Sequence, residues 1–229
     1  MSVLDRYLPG SLYGPARRLL TPRMAGRSDR PHIALTFDDG PDLRSTPEIL
    51  ETLARHGIRA TFFLIGEHLR SAGGLVGEMS AAGHEIAVHG WTHRCVVSRP
   101  GEDLTVDLRR ASDLLESLTG GAPRWYRPPF GIATRASGRA ARSSGLETIL
   151  WTAWGRDWSA WVGPAGIDWR VRRTLRPGGT VLLHDTDRYA ATGSWTRTNA
   201  ALRRMLPRWL DAGCAVGPLG EHWGSAAAR

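Results

Sequence analysis

The sequence predicts an α/β fold of parallel β/α units, closed or nearly closed into a barrel of about seven strands. Two observations carry this. From residue 31 onward, short apolar runs alternate with amphipathic stretches of helical period, the pattern of parallel strands joined by crossover helices. About seven such units in one chain are enough to curl a sheet towards closure. An open doubly wound sheet is the alternative. No glycine-rich phosphate loop follows the first strand, which weakens a nucleotide-binding reading.

The first strand is the run from Ile33 to Phe37. It ends in Asp38-Asp39, followed by Gly40-Pro41, which stops the strand and turns the chain. Two buried neighbouring carboxylates are costly unless something positive neutralises them. A divalent metal would do so; an Asp-rich surface turn is the plainer alternative. Thr46 to His56 reads as a helix, with Pro47 in its first turn and Gly57 as its stop. Ala60 to Ile65 is a continuous apolar run, expected of a strand covered on both faces. A helix follows over Gly74 to Ala82, then a short strand, Glu85 to Val88, running into His89. Asp103 to Leu118 is amphipathic, with Leu104, Leu108, Leu115 and Leu118 on one face. Trp125 to Arg127 is a strand ended by Pro128-Pro129, Arg135 to Ser144 a helix, and Thr148 to Trp151 a strand. Asp168 to Leu175 is helical, Thr180 to Leu183 a strand, Asn199 to Leu210 the last helix and Cys214 to Val216 the last strand.

At 229 residues, 41% hydrophobic and 23% charged, the composition is that of a soluble globular protein. Residues 1–30 read as an N-terminal extension, 31–220 as the catalytic-type domain and 221–229 as a C-terminal tail. The extension mixes Leu with Arg and proline, which suits a strap on the domain or, less well, a membrane-surface contact. Met24 to Pro31 reads as a polar linker. All 30 basic residues are Arg, scattered along the chain, and the net charge is +8. Scattered Arg without a nucleic-acid motif argues against a nucleic-acid partner. Cys95 and Cys214 have no metal spacing and are too few for a disulfide scaffold. With no signal peptide or transmembrane run in view, a cytoplasmic location is expected. The sequence leaves the oligomeric state open.

Chemistry-bearing residues collect just past the predicted strand ends: Asp38 and Asp39, His89 and His93, Arg127, Asp157, then His184 and Asp185. In a β/α barrel that edge is where active sites sit. His89 and His93 are four apart, so on a helical turn they share a face and can hold one ion. Alone the pair is weak evidence. With a carboxylate from another strand it becomes a His-His-Asp site suited to Zn²⁺, with Co²⁺, Ni²⁺ or Fe²⁺ as alternatives. Ca²⁺ fits poorly, since it prefers oxygen ligands.

In order, Thr36-Phe37-Asp38-Asp39-Gly40, His89-Gly90-Trp91-Thr92-His93, Arg127-Pro128-Pro129-Phe130-Gly131, Asp157-Trp158 and Leu182-Leu183-His184-Asp185 resemble the five motifs of the NodB-type polysaccharide deacetylases, carbohydrate esterase family 4. The resemblance spans roughly Pro31 to Leu219. It implies an irregular (β/α) barrel and a metal-dependent hydrolase that removes acetyl from an N-acetylated amino sugar or its oligo- or polysaccharide. It implies Asp39, His89 and His93 as ligands of a divalent metal, most simply Zn²⁺, which acidifies a water and polarises a carbonyl. Asp38 becomes the general base, Arg127 its ionic partner, His184 the acid for the leaving amine and Asp157 the carboxylate favouring imidazolium. The Phe130 N–H becomes an oxyanion donor, and Leu182 and Trp158 walls of the acetyl pocket.

Three departures stand out: Gly90 replaces the common Ser or Thr, Phe130 the commoner Tyr, and the segment before Asp157 lacks an additional acid. None removes a required group. Two other readings compete. A relative opening cyclic ureides or imides would keep the fold, but some of those alter the first carboxylate, and Asp38 is present. A non-catalytic carbohydrate-binding protein would be expected to lack a ligand, base or acid. His84 reads as structural, Cys95 as a buried thiol and Asp185 as a loop brace. The Trp151, Trp154, Trp158 and Trp161 cluster reads as partly core, with room for one or two rings to stack on a sugar.

Overall fold

In this computed structural model, which describes residues 23–97 and 99–223, eight strands and six helices alternate as expected. In chain order they are β1 (His32–Asp38), α1 (Thr46–Arg55), β2 (Thr61–Leu64), α2 (Gly66–Ala81), β3 (Glu85–Val88), α3 (Gly101–Thr119) and β4 (Trp125–Tyr126). There follow α4 (Arg135–Ser143), β5 (Glu147–Thr148), β6 (Ala153–Trp154), α5 (Pro164–Thr174), β7 (Thr180–His184), α6 (Ser194–Asp211) and β8 (Ala215–Gly217). Every strand pair is parallel, in the order β5-β4-β3-β2-β1-β7-β6. This is the partial barrel of about seven strands that the alternation predicts. The eighth strand, β8, pairs with the lower half of β1, at His32–Ala34.

β1 is central and wholly buried. Its alternate residues serve two cores, as a period of two requires. Ile33, Leu35 and Phe37 face the helices, where Phe37 stacks on Phe62 at 5.0 Å. Ala34 faces the barrel interior with Phe63, Ala87, Trp125 and Ile149. The β1–β7 register pairs Asp38 with His184, and the β1–β2 register pairs Asp38 with Phe63. The strand ends therefore sit level, and the loops after them share one edge.

The barrel does not close through a ladder. β5 and β6 end the order, and the chain between them crosses the gap without pairing as a strand. Thr148 to Trp151, expected to be one strand, is instead split into β5 and β6 around it. The cause is local: the carbonyls of Ile149 and Leu150 accept from the Arg127 guanidinium instead of from a neighbouring strand. Residues 23–30 lie along this gap. Leu150 N donates to the Met24 carbonyl, Thr180 Oγ1 to Gly26 O at 2.7 Å, and Ser28 N to Gly178 O. Gly178, at φ +77°, has no alternative, because a Cβ there would lie 1.9 Å from Ser28 O. Ser28 Oγ donates to the His222 carbonyl, and His222 Nε2 meets Gly26 O at 3.0 Å. The stretch read as a linker is thus tied to the barrel. Residues 1–22 of the expected extension, and the tail beyond 223, lie outside the described residues.

Helix α2 begins at Gly66, earlier than the apolar period predicts, and carries an irregular residue, Ala72, in its interior. Its first residue must be glycine, because a Cβ there would meet Trp91 Cε3 at 2.5 Å. α5 and α6 also start earlier than expected, α5 with Pro164 in its first turn. Among the described residues, no helix is long and apolar enough to cross a membrane.

Candidate active site

Asp39 is the first residue beyond β1 and takes φ 81°, a left-handed conformation costly for a residue with a side chain. The turn brings its buried carboxylate to His89, which follows β3, and to His93 in the next loop. Asp39 Oδ1 lies 3.3 Å from His89 Nε2 and 3.3 Å from His93 Nε2. Such spacings suit ligands held about 2.1 Å from one ion at near-tetrahedral angles. The same Oδ1 is buried and has no hydrogen-bond partner, so it is costly to leave as it stands. His89 Nδ1 donates to the Arg127 carbonyl at 2.7 Å, which leaves its Nε2 lone pair facing Asp39. Burial pushes the His93 pKa down to about 4, keeping that imidazole neutral. Burial works against ionising Asp39, but His89, His184 and His93 outweigh it and hold the carboxyl at about 2. One carboxylate and two neighbouring imidazole nitrogens therefore fit a divalent transition metal. No other such group occurs among the described residues.

Asp38, the last residue of β1, has a different partner. Arg127 NH1 donates to Asp38 Oδ1 at 2.6 Å and to Thr36 Oγ1 at 2.8 Å. Arg127 is fully buried inside the barrel, its guanidinium 4.0 Å from the Phe63 ring centroid. NH2 and Nε are taken by the Leu150 and Ile149 carbonyls at 3.0 and 3.4 Å. A buried ion pair is tolerable when its spare donors are satisfied in this way.

The third group faces the other two from β7. His184 Nδ1 donates to Asp157 Oδ1 at 3.0 Å, and its backbone N–H to Asp157 Oδ2 at 2.8 Å. Asp157 is fully buried and also accepts from Thr198 Oγ1. Burial lowers the His184 pKa, but the charge and hydrogen bond of Asp157, helped by Asp39 and Asp38, raise it to about 10. His184 Nε2 points towards Asp39, 3.9 Å from its Oδ2. Asp185, next along, is buried and raised to about 7, mainly by burial. It accepts from Thr46 Oγ1 at the start of α1, which fits a brace.

These groups open onto a cavity of about 400 Å³. Asp38, Asp39, His89, His93, Phe130, Trp158, Leu182 and His184 line it, while Arg127 and Asp157 stand directly behind. Phe130 takes φ 61° in a short 3₁₀ turn, Pro129–Gly131, and is half exposed. Gly131 is required beside it, since a Cβ there would lie 2.2 Å from Trp151 Cη2. Trp151 and Trp154, read as partly core with room to stack on a sugar, line the wall, and two wall residues escaped the sequence reading, Ile132 and Tyr189. Tyr189 stacks on His93 at 4.2 Å and 17°. Its hydroxyl meets His68 Nε2 at 2.8 Å and donates to Glu67 Oε1 at 3.1 Å. Its one signal in sequence is a position shortly after His184-Asp185. His84 is structural, as read: it packs edge-on against Phe62 and accepts from Ala60 N.

The fold and the edge constellation define a class: parallel partial barrels whose loops gather carboxylates and imidazoles around one cavity. A family model described as polysaccharide deacetylase matches residues 25–149. The chitooligosaccharide deacetylase of Sinorhizobium fredii is 35% identical over 198 residues, covering 84% of this chain and 92% of that one. A peptidoglycan-N-acetylglucosamine deacetylase of Bacillus cereus is 35% identical over 185 residues, 79% of this chain and 83% of that one. Among solved structures, the Bc1960 peptidoglycan N-acetylglucosamine deacetylase superposes with a TM-score of 0.79 at 27% identity, covering 90% and 95% of the two chains. BA3943 of Bacillus anthracis, a CE4 family pseudoenzyme, gives 0.76 at 27% identity over 85% and 66%. The chain belongs to the polysaccharide deacetylase family.

Proposed function

We propose that this protein hydrolyses the N-acetyl group of an N-acetylated amino sugar within an oligosaccharide or polysaccharide. The observation that carries the proposal is the convergence on one cavity of the Asp39–His89–His93 cluster, the Arg127-braced Asp38 and the Asp157-braced His184. Relatives named as chitooligosaccharide and peptidoglycan deacetylases support the substrate class. Family membership alone does not carry activity, because a pseudoenzyme shares the fold. The groups at 38, 39, 89, 93, 127, 157 and 184 do.

Asp39, His89 and His93 are the proposed ligands of a divalent transition metal, and the mixed N/O donor set favours Zn²⁺ over Ca²⁺. Bound there, the metal supplies Lewis acidity, lowering the pKa of a water from 15.7 towards about 7 and polarising the acetyl carbonyl. Asp38 takes the proton of the attacking water. Arg127 keeps Asp38 aimed, because its other donors are fixed to the backbone carbonyls at 149 and 150. The Phe130 N–H is the proposed donor to the developing oxyanion. Leu182 and Trp158 wall the pocket for the acetyl methyl. His184, protonated through Asp157, delivers the proton from Nε2 to the leaving nitrogen. Amines leave poorly unless protonated, and such an acid contributes about 10²–10⁴-fold.

The test is acetate release from a panel running from N-acetylglucosamine to chitooligosaccharides and peptidoglycan, with and without added Zn²⁺, Co²⁺, Ni²⁺ or Fe²⁺. Release that stops with a chelator and returns with metal is the expected result. A folded, metal-loaded protein that frees no acetate from any member would sink the proposal.

A further inference from the structure

A second recess, of about 320 Å³, adjoins the catalytic cavity, and Trp154 lines both. Its other walls are Arg156, in the loop after β6, and Trp169, Arg170, Arg173 and Thr174 of α5. The three guanidiniums lie over indole rings: Arg156 at 5.2 Å from Trp154, Arg173 at 4.6 Å and Arg170 at 6.0 Å from Trp169. Stacking uses the face of a guanidinium and leaves the N–H donors in its plane unspent. Among the described residues, no side-chain donor of these three makes a hydrogen bond or meets a carboxylate. Some other exposed arginines are paired, Arg44 with Asp187, Arg55 with Glu51 and Arg59 with Glu221. The one acid of α5, Asp168, is held by Arg208 of α6. Three like charges thus share one recess without a counter-charge, which raises the local potential and suits an oxyanion.

We infer that this recess is a subsite for an anionic substituent of the substrate. It rests on the proposed deacetylase reading and narrows it: the preferred substrate is an N-acetylated amino sugar bearing a carboxylate or phosphate next to the sugar that loses acetyl. The shared Trp154 wall sets that charge within one sugar of the acetyl pocket. Arg156 lies two residues past β6 and immediately precedes Asp157, so charge recognition and the catalytic carboxylate share one loop.

The test uses the Zn²⁺-loaded protein and the triple variant R156Q/R170Q/R173Q, with N,N′-diacetylchitobiose, a disaccharide of N-acetylglucosamine and a uronic acid, and N-acetylglucosamine 1-phosphate. Equilibrium binding is measured by calorimetry and acetate release by kcat/KM. For wild type, at least one anionic probe should bind about tenfold tighter than the neutral one, with a steep salt dependence. The variant should lose that advantage, mostly through KM, and keep its neutral-substrate rate within about twofold, since rim charges act on encounter and binding. Loss with the uronide alone assigns a carboxylate, and loss with the phosphate alone a phosphate. Equal affinity of wild type and variant for both anions overturns the inference, even where neutral chitobiose is deacetylated. Absence of acetate from every probe counts instead against the deacetylase reading, because the binding arm reads the recess without turnover.

Discussion

Replacing Asp157 by Asn tests the proposed acid more sharply than deleting it. In the wild type, burial lowers the His184 pKa, while Asp157, with help from Asp39 and Asp38, raises it to about 10. A cation held at Asp39 offsets the last two contributions, so Asp157 is the charge that keeps the imidazolium. Removing one adjacent opposite charge moves a pKa by about 1–3 units. A fall of about 3 units leaves about one His184 in eleven protonated at pH 8, where nearly all were before. Turnover at pH 8 then drops at least about tenfold from protonation alone, and more where a bound cation starts His184 below about 10. In a bell-shaped profile, the basic limb moves to lower pH and the acidic limb, set on the attacking-water side of the site, stays; each apparent pKa belongs to the coupled site. The variant has a second effect. Asp157 accepts from His184 N, His184 Nδ1 and Thr198 Oγ1, and an amide has one oxygen to offer them. One donor is left facing an NH₂, at a cost of about 1–3 kcal/mol of stability. His184 is raised above its ordinary 6.5, so its stabilisation is complete below that pH and fades as pH climbs towards 10. Thermal unfolding from pH 6 to 10 should therefore flatten in the variant. The assay is acetate release across pH 5–11. A basic limb that stays put in folded Asp157→Asn protein refutes the assignment. As a companion, His184→Ala should harm an N-acetyl sugar more than an aryl acetate, whose departure needs no proton; equal harm would reassign His184 to orienting the carbonyl.

Three further predictions follow from the same geometry. Zinc content, measured by elemental analysis after reconstitution, should be about one per chain. It should vanish in His89→Ala/His93→Ala and survive in Asp38→Asn, which nonetheless hydrolyses little; equal metal loss in Asp38→Asn and Asp39→Asn would show that the two carboxylates do not have separate roles. A chain starting at Pro31 should unfold at lower temperature than one starting at Arg23, because it lacks the buried Ala25 and the Ser28 and Gly26 bonds to His222, Gly178 and Thr180; identical melting curves would show those contacts to be idle. Burial lowers both His32 and His222 to about 4, and their rings meet at 3.0 Å between Nδ1 atoms. Their contribution to stability is present above about 6.5 and lost as pH falls towards 4, so His222→Gln should blunt acid unfolding in that window.

The strand ends and the motifs after them were legible because each is a local pattern: an apolar run, then a polar group at the edge where barrel loops meet. Asp38 and Asp39 show how far this reaches. Their adjacency is in the sequence, but which one faces Arg127 and which the imidazoles depends on the φ of 81° at Asp39. The break between β5 and β6 was not legible. Thr148 to Trp151 reads as a good strand, and only the buried guanidinium of Arg127, more than twenty residues earlier, draws its carbonyls out of the ladder. Tyr189 was missed for the same reason: its meaning lies in a ring stacked beneath it and two partners on α2, none of them near in sequence. Helix starts at Gly66, Pro164 and Ser194 were read late because their first turns carry few apolar residues to set a period.

The placement of β1 bears on how the chain reaches its native state. Of the strands that pair with β1, only β2 is a near neighbour; β7 and β8 follow more than 140 residues later. Contacts of such long sequence separation slow folding, since loop closure precedes the reward of pairing. Until β7 is made, one edge of an apolar strand that ends in a carboxylate has no ladder partner. The Gly26 and Ser28 bonds to His222 come later still, so the seam cannot be sealed until almost the whole described chain has left the ribosome. From β2 until β7 the nascent chain therefore carries a central strand with one edge open to pairing with other chains, which makes it a natural client for chaperones and prone to aggregate when overproduced quickly.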